Sequence, residues 1–273
     1  MTSHFHAHTR TQLDRIIAEQ PQSILLSGPL GVGLSGAIQH IADGLNTKVI
    51  PVFPEKNEKV DIENGTITVA VIRRLYDLTK SVETNRRLIV IDQAEKMGIE
   101  AQNAFLKLLE EPSANTHFLL ATHSTAKLLP TILSRVQHLE LKRLSDQQSE
   151  QILNELGVMD AQKRAQLLFI ARGLPAELAR LATDDTYFAA RGAIVKDART
   201  YITGTAYEKL RVAHNYKDDR PKTLILLQDA MHLLEMSLQA GKGEQLKLLD
   251  QLLKIHQQIE ANGNIRLQLA TVV

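Results

Sequence analysis

The chain contains no cysteine and no tryptophan, and it has no apolar run of the length that a membrane helix requires. Without cysteine, disulfide bonds, thiolate zinc sites and cysteine nucleophiles are all excluded. A membrane-spanning helix needs about 18 largely apolar residues in succession. The N-terminal residues show neither the basic start nor the apolar block of a secretory signal. We therefore expect a cytoplasmic protein that has no membrane partner.

The chain also lacks an excess of either charge and is poor in aromatic residues. It has 32 Lys+Arg against 31 Asp+Glu, together with five Tyr and six Phe. A protein that binds DNA alone through the phosphates usually carries a strong positive excess. Single-stranded bases would find few aromatic rings on which to stack. Any contact with nucleic acid is therefore expected to be shared with partner chains.

Short apolar runs alternate with amphipathic segments over residues 23–142. This alternation predicts an α/β domain with a parallel sheet that is covered on both faces. The length of 273 residues allows about two domains. Predicted strands cover 23–27, 48–53, 88–91, 117–122 and 137–141, and predicted helices begin near Leu34 and cover 67–80 and 99–110.

After Arg143 every periodic segment has the spacing of a helix. Pro221 suits the first turn of a helix, while Gly241 and Gly243 favour a turn between two helices. The predicted division of this helical part lies near residue 183. Its predicted helices cover 145–156, 160–172, 175–183, 185–203, 205–214, 221–240, 243–261 and 264–271.

A glycine-rich segment, GPLGVGLS at 28–35, follows the first predicted strand. Phosphate-binding loops read G-x-x-x-x-G-K-[ST], and Gly28, Gly33 and Ser35 match this pattern, with Gly31 adding backbone freedom. Leu34 stands at the lysine position, so no side-chain cation reaches the phosphates, although backbone N–H groups still suit an anion. The segment is a weak nucleotide site, a loop kept without that function, or a plain glycine turn.

Asp92 follows the apolar run RLIVI and is the second candidate site residue. A carboxylate at the C-terminal end of a strand can coordinate magnesium, and it can equally cap a turn. Hydrolysis at such sites commonly needs a neighbouring carboxylate as general base, but the next residue, Gln93, carries an amide. Losses at two separate motifs favour a P-loop domain that does not hydrolyse nucleotide.

Three segments within 101–141 closely resemble the clamp-loader branch of the AAA+ proteins. They are N-A-x-L-K-x-L-E-E-P at 103–112, F-x-L-A-T at 118–122 and L-P-T-I-x-S-R at 129–135. Together with the degenerate loop, they most resemble the delta prime subunits of bacterial DNA polymerase III clamp loaders. Those subunits typically do not hydrolyse ATP. The similarity is strong over about 23–142 and weaker beyond it.

The resemblance implies three domains: a AAA+ P-loop domain over 1–142, a three-helix lid over 143–183, and a helical collar for oligomerisation over 184–273. It implies a heteromeric ring with gamma/tau-like and delta-like subunits, which loads a sliding clamp onto primer–template DNA. ATP and magnesium are then expected in neighbouring subunits, and no cofactor or metal is expected to bind tightly here. Alternatives are a divergent gamma-like ATPase subunit, a AAA+ interaction protein outside replication, and, for the collar region, a self-contained bundle.

The resemblance also assigns roles at two positions. Ser134 and Arg135 match the S-R-C triplet of the family, in which the arginine acts in trans on ATP bound by the adjacent subunit. The alternative is a surface arginine that caps the preceding helix. Active ATPases of the family carry a sensor arginine three residues after a lid glycine, and Ala176 stands at that distance from Gly173. The four-cysteine zinc module of the family is absent from this chain.

Two weaker patterns remain. His4, His6 and His8 would share one side of an extended strand, where imidazoles can bind a metal, but clusters at chain ends are usually solvated. Several cations are candidates for a DNA-tracking surface inside a ring, with ordinary solvated helix faces as the alternative. These cations are Arg73, Arg74, Arg86, Arg87, Lys96 and Lys107.

Overall fold

The computed structural model describes residues 4–62, 64–80, 86–239 and 245–272. The chain forms two compact units, Met1–Ala179 and Arg180–Val273. The boundary between them falls within the helix Pro175–Thr183. The helices of the predicted lid thus belong largely to the first unit, and the division into three domains stays a prediction.

A five-stranded parallel sheet lies at the centre of the first unit, with the order β2-β5-β6-β1-β7. The inner strands β1 and β5 are buried along their whole length, as expected where helices cover both faces. All five predicted strands and the α/β class are confirmed, with small differences at the strand ends. The strands are β1 Ser23–Ser27, β2 Lys48–Val52, β5 Arg87–Ile91, β6 Thr116–Thr122 and β7 Gln137–Glu140.

A small antiparallel pair was not expected from the sequence. Its strands are β3 Glu55–Lys56 and β4 Lys59–Val60. The connecting residues Asn57 and Glu58 have positive φ angles of 52° and 62°. The pair is short and polar, so it lacks the apolar alternation by which a strand is recognised in a sequence.

Helices cover the sheet on both faces in the first unit. Alternate residues of the inner strands contact opposite hydrophobic clusters: Ile89 and Phe118 lie in one, and Leu88 and Leu119 in the other. The cluster with Ile89 also contains residues of α3 and α4, and the other contains residues of α1 and α2. The helices are α1 Ala7–Glu19, α2 Leu34–Leu45, α3 Val69–Lys80, α4 Ile99–Glu110, α5 Pro130–Leu133, α6 Asp146–Glu155, α7 Ala161–Ala171 and α8 Pro175–Thr183.

The second unit is helical throughout its described residues and has its own core. Helix α11 begins at Arg220, so Pro221 lies in its first turn as predicted. Gly241 and Gly243, the predicted turn, lie outside the described residues. Buried Tyr201 donates a hydrogen bond to the carbonyl oxygen of Leu269 at 2.7 Å, which fastens the last helix to the first. The helices are α9 Asp185–Thr203, α10 Ala206–Tyr216, α11 Arg220–Gln239, α12 Leu246–Glu260 and α13 Ile265–Ala270.

The N-terminal histidines do not lie along an extended strand, so that expectation is wrong. Helix α1 begins at Ala7, and the Nδ1 atom of His6 accepts a hydrogen bond from the backbone N–H of His8 at 3.2 Å. His6 therefore acts as the N-cap of α1. In the part of the chain that the structure describes, no group of three metal-ligating side chains is gathered. Over the same residues, no helix combines the length and hydropathy needed to span a bilayer.

Candidate functional site

The glycine-rich loop at 28–33 connects β1 to α2 at the carboxyl end of the central strands. Gly33 is the N-cap of α2 and has a φ of 95°, a conformation that side chains disfavour. Ser35 follows in the first turn of the helix, so the predicted order of strand, loop and helix is present. In parallel α/β sheets, this edge is where ligands bind. Gly28, Gly31, Gly33 and Ser35 are thus in position for a phosphate-binding loop.

Leu34 does not extend from this loop toward a ligand. Its side chain is 5% exposed and belongs to the hydrophobic cluster that contains Val32 and Ile41. Leu174, from the turn before α8, packs against the same cluster. The lysine position of the motif is therefore filled by a buried apolar side chain. This side chain cannot supply the positive charge with which a lysine would contact the β- and γ-phosphates.

The beginning of α8 contacts the loop directly. The carbonyl oxygen of Gly31 accepts hydrogen bonds from the backbone N–H of Ala176 at 3.0 Å and of Glu177 at 3.4 Å. A Cβ atom on Gly31 would lie only 3.0 Å from the Cβ of Glu177, and the φ of Gly31 is 86°, so a side chain at this position would be strained. The first N–H groups of a helix have no partner within it and suit an anion. Here they are used by the loop, a contact that the sequence did not predict.

Asp92 and Gln93 follow β5 directly, and in the sheet β6 lies between β5 and β1, the strand that precedes the loop. The Oδ1 atom of Asp92 accepts a hydrogen bond from the backbone N–H of Gln93 at 2.9 Å. Gln93 itself has a positive φ of 54° and begins a short 3-10 turn, Ala94–Lys96. The position next to Asp92 therefore presents an amide and no general base.

Glu95 is a site residue that the sequence analysis missed. Its Oε2 atom accepts a hydrogen bond from Oγ1 of Thr122 at 2.6 Å, and its Oε1 atom accepts one from the backbone N–H of His123 at 3.3 Å. The Nδ1 atom of His123 donates to the carbonyl oxygen of Gly28 at 2.8 Å, because a carbonyl oxygen can only accept. This network links the ends of β5 and β6 to the loop. In the sequence, this network was indicated by the polar residues that directly follow the apolar strand predicted at 117–122.

Arg135 lies on the surface between α5 and β7, with 38% of its side chain exposed. Its Nη2 and Nε atoms lie 2.8 Å and 3.1 Å from Oε1 of Glu110. Its Nη1 atom donates to the carbonyl oxygen of Thr131 at 3.0 Å and to Oγ of Ser134 at 3.3 Å. The helix-capping contact named above as an alternative is therefore present, and so is the exposure that a role in trans requires.

One of the candidate cations, Arg87, does not lie on the surface. Arg87 is 2% exposed and donates to Oγ1 of Thr116 at 2.7 Å and to the carbonyl oxygen of Leu78 at 2.8 Å. It is a structural residue of the buried strand β5, so its assignment to a DNA surface is wrong. Arg74 pairs with Glu55, Arg86 with Gln20, and Lys96 with the carbonyl oxygen of Ile62, whereas Arg73 and Lys107 are exposed.

Comparison with known proteins gives a consistent assignment over the first unit. A family model described as DNA polymerase III, delta subunit matches residues 8–145. The chain is 35% identical to the delta prime subunit of Pseudomonas aeruginosa over 127 residues, which are 44% of this chain and 37% of that protein. With the delta prime subunit of Bacillus subtilis it is 33% identical over 115 residues, 42% of this chain and 34% of that protein.

A longer match joins the chain to another subunit of the same polymerase. The tau subunit of Bacillus subtilis is 28% identical over 251 residues, 84% of this chain and 44% of that protein. The matches thus span less than half the length of these curated relatives. Among solved structures, a RuvB variant from Thermotoga maritima has a TM-score of 0.51 and 15% identity, covering 94% of this chain and 84% of that one. At this identity the likeness concerns the fold alone.

Proposed function

Since the chain belongs to the DNA polymerase III delta-subunit family of AAA+ clamp-loader proteins, we propose that it is the delta prime-type member of a clamp-loader ring that does not hydrolyse ATP. In this role it assembles with gamma/tau-like and delta-like subunits and has no enzymatic activity of its own. The ring loads a sliding clamp onto primer–template DNA with ATP and magnesium bound in the neighbouring subunits. This chain then binds no cofactor tightly.

The observation that carries the inactive assignment is the environment of the loop at 28–33. Buried Leu34 replaces the phosphate-binding cation, and the carbonyl oxygen of Gly31 accepts from the first N–H groups of α8. Gln93 offers no general base, and the position matching the sensor arginine is Ala176. A nucleotide at this loop would gain no lysine interaction with its phosphates. These features favour the inactive subunit over a gamma-like ATPase.

Arg135, with Ser134 beside it, is proposed to act in trans on ATP bound by the adjacent subunit. The side chain is exposed at 38% and its guanidinium is held by contacts within its own unit. Arginine carries a permanent charge in a planar fork that matches phosphate geometry. Retaining such a residue is useful even in a subunit that binds no ATP, because the reaction takes place at its neighbour.

The isolated chain is expected to show no magnesium-dependent binding of ATP in the micromolar range by isothermal titration calorimetry. The physical reason is the absence of a cation at position 34, where Leu34 stands. The ATPase subunit of the same complex serves as the positive control. Micromolar binding by this chain would contradict the inactive assignment and favour the gamma-like alternative.

Co-purification tests the proposed assembly. When this chain is expressed with the gamma/tau-like and delta-like subunits of its own organism, all are expected to elute as one complex, and that complex to load the clamp onto primed DNA. The matched control omits this chain from the same preparation, and clamp loading is then expected to be lost. A chain that stays apart from the other subunits would favour an interaction protein outside replication.

A further inference from the structure

We propose that Glu110 is a positioning residue for Arg135: it holds the guanidinium in the orientation from which it reaches nucleotide bound by the neighbouring subunit. The inference rests on the proposed function, because Glu110 has this task only if Arg135 acts in trans. Glu110 is the last residue of α4, whereas Arg135 follows α5. The two residues meet because α4 and α5 pack on the same face of the sheet.

The contacts of the Arg135 guanidinium fix it on two sides. The Oε1 atom of Glu110 lies 2.8 Å from Nη2 and 3.1 Å from Nε, so one charged oxygen engages one side of the guanidinium. On the other side, Nη1 donates to the carbonyl oxygen of Thr131 at 3.0 Å and to Oγ of Ser134 at 3.3 Å. Arginine has many rotamers, and fixing them before a ligand arrives removes an entropic cost from the later step.

The remaining geometry leaves room for a phosphate. A guanidinium has five N–H donors in one plane. Glu110 accepts from Nε and Nη2, while Thr131 and Ser134 accept from Nη1. The second N–H of Nη2 is therefore the donor that these contacts leave for a phosphate oxygen. Glu110 thus orients the guanidinium without using the N–H that a neighbouring nucleotide would contact.

The pair is placed where it can influence catalysis more than folding. The side chains of Arg135 and Glu110 are 38% and 48% exposed, respectively. Exposed ion pairs contribute little to folding stability because water screens them. Removing the charge of Glu110 should therefore leave the fold intact, and any effect on ATP turnover would arise through Arg135. Glu111, the adjacent exposed carboxylate, offers a control with the same change of charge.

The test compares Glu110→Gln and Glu111→Gln in the complete reconstituted clamp loader, with clamp and primed DNA present. For Glu110→Gln we expect kcat for ATP to fall about two- to fivefold at the site that Arg135 faces, the range that the loss of an exposed ion pair allows. The KM for ATP should not change, since the neighbour binds the nucleotide and Arg135 acts on the transition state. Glu111→Gln should behave as the unmodified complex does.

A double variant separates positioning from a general effect. In a background of Arg135→Ala, adding Glu110→Gln should lower turnover no further, because the two side chains act as one unit. An additional loss in the double variant, an equal loss in Glu111→Gln, or unchanged or faster turnover in Glu110→Gln would each overturn the positioning role. If Arg135→Ala alone leaves turnover unchanged, it is the proposed function of Arg135 that fails.

Discussion

Arg135→Ala is expected to slow ATP hydrolysis at the adjacent subunit by about 10³-fold or more, the lower end of what an arginine acting in trans contributes in other NTPases. The guanidinium would stabilise negative charge on the γ-phosphate as the transition state forms, and alanine offers nothing in its place. The other ATP sites of the proposed ring would keep their own arginines. The ATP turnover of the whole complex should therefore fall by the fraction that the affected site contributes. Steady-state ATPase assays on the reconstituted complex, with clamp and primed DNA, measure this fall.

The same experiment includes controls for assembly and for charge. Arg135→Ala should co-purify with its partners as the unmodified chain does, because the side chain is on the surface and its ion pair is exposed. Arg135→Lys should remain slow, because an ammonium group cannot reproduce the planar fork. Arg10→Ala removes another surface arginine, 54% exposed and paired with Asp14 on α1, and it should leave turnover unchanged. Normal turnover at every site in Arg135→Ala would contradict the role in trans.

The inner strands could be predicted from the sequence because they are buried on both faces and are therefore nearly continuous apolar runs. Helix α1 was missed because only Leu13 and Ile16 among its apolar residues are fully buried, too few to give a clear period of 3.6. The pair β3 and β4 has no apolar alternation at all. Arg87 was misread because it stands beside exposed Arg86, and its burial follows from the position of β5 within the sheet.

The site could be predicted as a set of separate motifs but not as an arrangement. In the sequence, Leu34 and Ala176 are two unrelated losses from a nucleotide site. In the structure both residues belong to the region where α8 meets the loop. Ala176 donates to the carbonyl oxygen of Gly31, and Leu174 packs on the cluster that contains Leu34. The contact of Glu110 with Arg135 likewise joins residues from distant segments. Such pairings depend on how the segments pack, which spacing along the chain does not encode.

A buried ion pair in the second unit gives the largest expected effect on stability. Arg191 on α9 and Asp229 on α11 meet through two contacts, Nη1 to Oδ2 at 2.9 Å and Nη2 to Oδ1 at 3.3 Å. Their side chains are 7% and 3% exposed. Removing one partner leaves the other as a charge in a place that water hardly reaches. The pair is therefore a point at which one substitution can destabilise the packing of α9 against α11.

Asp229→Ala is expected to lower the free energy of unfolding of the second unit by about 3–5 kcal/mol, the usual cost of leaving a buried charge without its partner. Urea denaturation of the full chain, followed by circular dichroism at 222 nm, measures the transition to which this unit contributes. Glu19→Ala, which breaks the exposed pair with Arg15 on α1, is the matched control and should change stability by less than about 1 kcal/mol. A loss that small in Asp229→Ala would contradict the argument.

Replacing both members of the pair distinguishes charge from packing. Arg191→Met combined with Asp229→Leu removes both charges and fills the space with apolar atoms, and such replacements are often neutral or even stabilising. We therefore expect the double variant to recover most of the stability that Asp229→Ala loses. If it is as unstable as Asp229→Ala, the two side chains stabilise the unit through further hydrogen bonds that apolar groups cannot replace. Recovery would instead identify the loss of the Asp229 contacts to the charged Arg191 as the cause.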